Sequence, residues 1–263
     1  MEFKQKTIGV LSSGGDAPGM NAAIRSVVRT ALNRNIRVLG IRRGYSGLLA
    51  RDMFEMNLRS VSDTLHRGGT ILYSARCPEF RDDKGVERGK EVCLEMGIDG
   101  LVVIGGDGSF RGARDLSLKG IPCIGIPGTI DNDIASSDYT VGFDTAVNTV
   151  MDMVDKLRDT SQSHDRCSIV EVMGRRCGDI ALHAGIACGA VAILVPEVPF
   201  SIDSIIEKMQ RTLRTGKKHF IIIVAEGVTS VGGVGTVHDI AEEIEARTGV
   251  ESRATVLGHV QRT

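Results

Sequence analysis

Apolar residues in this chain gather into short, nearly unbroken runs. TIGVL (7–11), IRVLGI (36–41), GLVVIGG (100–106), PCIGIPG (122–128), CSIVEVM (167–173), AVAILVP (190–196) and HFIIIVAEG (219–227) are compact and rich in β-branched residues. Runs without alternation suit parallel strands buried on both faces, so each is predicted as a strand. Between them the spacing changes to the helical period. In AVNTVMDMVDKLRDT (146–160), Val147, Val150, Met151, Val154 and Leu157 fall on one face. Strands alternating with helices imply βαβ units and an open parallel sheet. Long, Gly-rich loops argue against a closed barrel. The helix starting near Gly142 reads as a crossover into a second α/β lobe. GVTSVGGVGTV (227–237) is the one linker-like stretch and is predicted to be a surface loop.

Three of the strands end in similar turns: TIGVL in SSGGDAPG, LVVI in GGDGS, and CIGI in PGTIDND. In an open α/β sheet, ligands bind where such loops converge, beyond the carboxyl ends of the strands. Gly14, Gly15 and Gly19 would let the backbone approach a phosphate, with a helix from about Met20 aiming its amides at the anion. GGDGS repeats that arrangement, with a helix from about Ser109, and Asp107 suits a Mg²⁺ ligand. Each turn on its own reads first as a tight βα turn with capping Ser and Asp, and it is the three together, carrying Asp16, Asp107, Asp131 and Asp133, that point to a ligand. Asp131 and Asp133 are open to three readings: caps, metal ligands, or a general base and its companion. No GxxxxGK[ST] and no strand-linked GxGxxG occurs, which excludes a P-loop protein and an ordinary dinucleotide fold.

The 263 residues carry 32 basic and 33 acidic side chains, a formal charge of -1. No global field therefore favours nucleic acid or an anionic membrane. No apolar run is long enough to span a bilayer, and the amino end lacks a signal-peptide core. Six cysteines without a CxxC pair point to reduced thiols in a cytoplasmic protein. Affinity for anions must then come from local cations: Arg76, Arg166, Arg175, Arg253, and the pair His259 and Arg262, all beside apolar runs. Singly, each is also readable as a solvated surface residue. Glu226, ending HFIIIVAE, is either a cap or an acceptor for a sugar hydroxyl. His164 and His183 are read as structural or surface residues.

SSGGDAPGMNAAIR, SARCPEF, VVIGGDGS, PGTIDND, VEVMGRRCGD and TVLGHVQR, in that order, resemble the bacterial ATP-dependent 6-phosphofructokinases over essentially the whole chain. The resemblance implies two doubly wound (Rossmann-like) parallel-sheet lobes with the active site in the cleft between them, and a homotetramer. Residues 1–140, rejoined by 254–263, would be the ATP-binding lobe, and 141–253 the fructose 6-phosphate lobe. The implied reaction is the glycolytic transfer of the γ-phosphate of Mg-ATP to the 1-hydroxyl of fructose 6-phosphate. By the same resemblance Asp131 is the general base, supported by Thr129 and Asp133, and Arg175 stabilises the transferring phosphoryl group. Gly15, Arg76, Cys77, Gly106, Asp107, Gly108 and Ser109 match ATP-binding elements, with Asp107 on Mg²⁺. Thr129, Ile130, Asp131, Met173, Gly174, Arg175, Glu226, His259, Val260, Gln261 and Arg262 match sugar-phosphate contacts. Arg166 and Arg253 match arginines that reach the substrate from a neighbouring subunit. Gly108 and Gly128 stand at the two small positions that leave room for ATP where pyrophosphate-using relatives carry Asp and Lys.

Departures from the family pattern carry expectations too. Arg25, Arg29, Arg158, Lys217, Lys218 and His219 match an effector site for ADP or phosphoenolpyruvate. Val191 replaces an acid there, Thr215 a lysine and Leu58 an arginine, which implies weakened ADP activation. The 227–237 loop is longer than in many members. After GHVQR the family continues with Gly-Gly-Ser-Pro and further helices, whereas Thr263 stands here, so a C-terminally truncated member is expected. The alternatives are an impaired fragment that binds nucleotide or sugar phosphate without turnover, and a nucleotide kinase sharing the GGDG turn, such as NAD kinase. MGRRCGD and GHVQR speak against the latter.

Overall fold

The computed structural model describes residues 5–231 and 235–263, which form two compact units. The first takes the chain through Thr129, then Asp133–Gly142 and Arg262–Thr263. The second takes Ile130–Asn132 and Phe143–Gln261.

In the first unit the order is β1 (Thr7–Ser13), α1 (Met20–Asn33), β2 (Arg37–Ile41), α2 (Gly44–Ala50), β3 (Met53–Glu55), α3 (Asp83–Glu95), β4 (Gly100–Gly105), α4 (Asp107–Leu118), β5 (Cys123–Thr129) and β6 (Val141–Gly142). The sheet order is β3-β2-β1-β4-β5-β6, parallel except for β3, which runs antiparallel to β2. β1 lies between β2 and β4, so the strand order reverses at the β1–β4 boundary, where a doubly wound sheet opens a binding crevice. Leu11, Leu39, Ile41, Leu48, Val92, Leu101, Val103 and Leu116 form a core in which Tyr45 stacks on Phe80 at 4.1 Å between ring centroids.

The second unit comprises α5 (Phe143–Ser163), β7 (Cys167–Val172), α6 (Asp179–Ala187), β8 (Ala192–Leu194), α7 (Ile202–Leu213), β9 (Phe220–Ala225), α8 (Glu226–Val231), α9 (Val237–Thr248) and β10 (Ser252–Val256). Its sheet, β10-β7-β9-β8, is wholly parallel. All six residues of β9 are buried, as a run without alternation requires.

All seven predicted strands are present. Two expectations are corrected. Residues 254–263 do not return as a block to the first unit. Ser252–Val256 pairs residue by residue with Cys167–Glu171, and the chain stays with the second unit through Gln261. The 227–237 stretch is not one loop, because α8 runs to Val231 and Thr236 caps α9. Residues 232–234 lie outside the described residues. All six cysteines are free, and among the described residues no helix is long and apolar enough to cross a membrane.

Candidate functional site

The glycine-rich turns of the first unit meet at the carboxyl ends of neighbouring strands. Ser13 and Gly105 are partners across β1 and β4, and the Ser109 hydroxyl donates to the Ser13 carbonyl at 2.9 Å. The buried Tyr45 hydroxyl donates to the Ser109 carbonyl at 2.6 Å, bracing the second turn from beneath. Burial pushes that phenol far above its ordinary range, so it stays a donor. Gly19 caps α1 at φ 88°, a left-handed conformation that glycine adopts without strain. No side chain caps that end and no acid occupies its first turn, an arrangement in which the amides and the dipole favour an anion. α4 also starts without a side-chain cap, two residues earlier than predicted, because Gly106 is extended and its carbonyl already accepts from the Ser109 amide at 3.0 Å.

Asp107 opens α4, half exposed, with Arg111 at 2.7 Å. Among the described residues no group of three or more His, Cys, Asp or Glu could hold a metal ion. A single accessible carboxylate is what Mg²⁺ bound mainly through nucleotide oxygens requires. A Cβ on Gly108 would meet nothing within 4 Å, whereas one on Gly128 would press on Ile104 at 3.1 Å and Met20 at 3.3 Å. Gly108 thus borders open space, while packing inside the unit also constrains Gly128. Arg76 receives the Ser46 hydroxyl on its carbonyl, and Cys77 leads into a 3-10 turn, Pro78–Arg81. Arg262 lies on the first glycine-rich turn. Its Nη1 donates to the Asp16 carbonyl at 2.8 Å and would sit 2.8 Å from a Cβ on Gly15.

The two acids of PGTIDND have different environments. Asp131 is 5% exposed, whereas Asp133 is exposed and falls in the first unit with the buried Thr129. In the second unit, beside the buried Ile130, the Asp131 carboxylate faces Arg175 Nε at 3.6 Å. That is an ion contact beyond hydrogen-bond length, to a guanidinium that is 70% exposed. The turn carrying Arg175 is fixed from below. Gly174 at φ 139° and Arg175 at φ 55° point their amides at one oxygen of Glu226, at 3.1 and 2.6 Å. A Cβ on Gly174 would lie 2.4 Å from the Cys177 carbonyl, so only glycine fits. The Met173 amide donates to the fully buried Gln261, pinning the 3-10 turn Gly258–Arg262 that also carries the exposed His259 and Val260. Glu226 is therefore more than a cap, because it organises the arginine turn.

Three carboxylates that sequence reasoning passed over also hold this site. Glu197 accepts from the Gly178 amide at 2.8 Å, and Asp179 accepts from the Asn132 side chain at 3.0 Å. Glu171 receives the Thr229 hydroxyl at 3.4 Å. Asn132, Asp179 and Glu171 stand inside motifs already singled out, so the signal was present. Glu197 follows the run AVAILVP as Glu226 follows HFIIIVA, so the same strand-end signal could have marked it.

Arg166 and Arg253 are not brought to Asp131 within this chain. Both pair with Glu251, at the amino ends of β7 and β10, while Met173–Arg175 follow the carboxyl end of β7. Six residues of strand separate the two ends, about 20 Å. In the first unit Arg25 donates to the Val61 carbonyl at 2.5 Å, Arg29 is exposed, and Leu58 is 51% exposed. In the second, Arg158 donates to the Cys188 carbonyl, Lys218 pairs with Asp165 at 3.4 Å, and Lys217 and Thr215 are exposed beside the half-buried His219. Val191 is buried and lines a cavity of about 280 Å³ along β8, apolar apart from Ser204 and Lys208. That cavity contains none of the candidate catalytic residues. His183 packs edge-on against Phe143 at 5.3 Å, the structural role expected of it.

The phosphofructokinase family model matches residues 7–263. The chain is 58% identical over 257 residues to the ATP-dependent 6-phosphofructokinase of Finegoldia magna and 59% to that of Clostridium tetani. Each match covers 98% of this chain and 79% of the relative. Among solved structures, phosphofructokinase from Saccharomyces cerevisiae superposes with a TM-score of 0.89 at 38% identity, covering 98% of this chain and 38% of that longer one. Sheet order, glycine-rich turns and the Asp131–Arg175 pair thus converge with these likenesses: the chain belongs to the phosphofructokinase family.

Proposed function

We propose that this chain transfers the γ-phosphoryl group of ATP to the 1-hydroxyl of fructose 6-phosphate, giving fructose 1,6-bisphosphate and ADP. The observation that carries the reading is the buried Asp131 carboxylate facing an exposed Arg175 on a turn held by Glu226. Identity of 55–59% to relatives named for this activity supports it.

Asp131 accepts the proton of the 1-hydroxyl as that oxygen bonds to the γ-phosphorus and the bond to the β-phosphate oxygen breaks, releasing ADP. The long contact to a solvated guanidinium is weak, so Arg175 can turn from Asp131 to the phosphoryl oxygens at small cost. Charge stabilisation and positioning, rather than covalent chemistry, dominate such transfers. The first unit binds the nucleotide: the α1 and α4 amino ends and the Gly106–Ser109 turn hold phosphates, with Arg76, Cys77 and Gly15 beside them. Asp107, released from Arg111, would hold Mg²⁺, which when bound supplies positive charge to the phosphate oxygens. The second unit binds the sugar phosphate through Ile130, Met173, Gly174, Glu226, His259, Val260 and Gln261, and Arg262 is a further sugar-phosphate contact. Arg166 and Arg253 act on the site of a neighbouring copy in a homotetramer in the cytoplasm, a reading that their place at the far end of β7 supports. Arg25, Arg29, Arg158, Lys217, Lys218 and His219 receive an anionic effector.

ADP release in the presence of fructose 6-phosphate and Mg-ATP tests this reading. Asp131→Asn should lower kcat by roughly 10²–10⁴, the range of a positioned general base, with nucleotide affinity retained. Fructose 6-phosphate-independent ADP release, or an Asp131→Asn variant as active as the wild type, would overturn it.

A further inference from the structure

The turn bearing Arg175 is anchored at both ends, and one anchor reaches the segment of the general base. At its start, the Gly174 and Arg175 amides donate to Glu226. In its middle, the Cys177 amide closes back on the Gly174 carbonyl at 2.9 Å. At its end, the Gly178 amide donates to Glu197, and Asp179 begins α6, where the helix dipole favours an acid. The Asp179 carboxylate in turn accepts the side-chain amide of Asn132, the residue after Asp131. Asn132 is left-handed at φ 54°, a conformation that Asn tolerates but that needs outside support to persist. One carboxylate at the head of a helix therefore ties the end of the arginine turn to the backbone that presents Asp131.

We propose that Asp179, through Asn132, is a positioning residue that holds Asp131 in register with Arg175. The proposal rests on the phosphoryl-transfer reading above, because register between base and cation matters only if both act on one substrate. Asp179 is not among the residues assigned to either substrate, so its loss should appear in the chemical step and not in binding.

The experiment is a kinetic double-mutant cycle on the full chain with Asp179→Ala, Asn132→Ala and the double variant, alongside Asp179→Asn. Asp179→Ala should lower kcat by about 10- to 100-fold, as misplacement by around an ångström does, with both KM values within about threefold of wild type. The double variant should be no slower than the slower single variant. Asp179→Asn, whose amide oxygen still accepts from Asn132, should restore most of the rate. Additive losses, a loss confined to KM, or an Asp179→Asn variant as slow as Asp179→Ala would each overturn the proposal. Hydrogen exchange of the peptide spanning 130–133 gives a readout independent of turnover. It should accelerate in Asp179→Ala and not in Asp179→Asn, and unchanged exchange would also overturn the proposal. If the wild-type chain gives no sugar-dependent turnover, the functional reading fails, while the exchange comparison still decides whether Asp179 holds the Asp131 segment.

Discussion

Glu171 shows how the site imposes a cost at a single residue. Its carboxyl is raised above the ordinary carboxylate range, first by burial and then by the negative charge of Glu226, against the Thr229 hydroxyl and His238. A raised acid stabilises the fold only while protonated, so this contribution is present at low pH and is lost as pH rises through the folded-state value. Glu171→Gln keeps an acceptor for Thr229 without the charge. It should raise Tm at neutral and alkaline pH, with the gain shrinking toward acidic pH; a gain largest in acid would contradict this. Cys93 and Cys167 have thiols pushed up to about 12 by burial, so neither should be alkylated near pH 8 until the chain unfolds. Labelling either in the native protein would refute the packing described around them. At this scale the sequence revealed the identities of Asp131, Arg175 and Glu226 through their motifs. It did not reveal that Glu226 spends one oxygen on two backbone amides, since that depends on the left-handed turn at Arg175.

Among the elements, continuous apolar runs made seven strands legible, although burial differs between them: β9 is buried along its whole length, whereas β5 carries such a run with Ile124 67% exposed. β3 has only three residues, and β10, SRATV, is half polar as an edge strand of its sheet. Neither carries that signature. The 227–237 stretch misled through composition. Gly and Ser signalled a loop, yet the start of α8 follows β9 directly, and Thr236 and Asp239 form a capping box for α9. Thr236→Ala removes the acceptor for the Asp239 amide and should cost about 1 kcal/mol, read as a lower urea midpoint with unchanged slope. A midpoint equal to wild type would show that α9 is held by its buried face alone.

For the whole molecule, donor and effector behaviour follow from what borders each position. Since a side chain at 108 meets open space, Gly108→Asp should fold normally. Its charge would face the nucleotide phosphates, so KM for ATP should rise at least about tenfold, a loss of roughly 1.4 kcal/mol, with KM for fructose 6-phosphate little changed. Unchanged ATP use would remove Gly108 from the donor site. At the proposed effector site, where Val191 is buried and is expected to replace an acid, ADP should shift fructose 6-phosphate saturation by less than the roughly fivefold that marks ordinary coupling. A larger shift in steady-state curves would show that ADP is held without that acid.

The chain passes between the two units at 129/130, 132/133, 142/143 and 261/262, so neither unit is one continuous stretch of sequence. This orders events during synthesis. The strands of the first sheet, β1 to β6, are all made by Gly142, yet the glycine-rich turn at Asp16 is bonded by an arginine 246 positions further on. The second sheet likewise gains its β10 edge only after α9 has emerged. Contacts of such long sequence separation carry a large loop-closure cost and form late. A ribosome making this protein therefore builds the frame of the first glycine-rich turn early and supplies the arginine that bonds it only after the second sheet has been made.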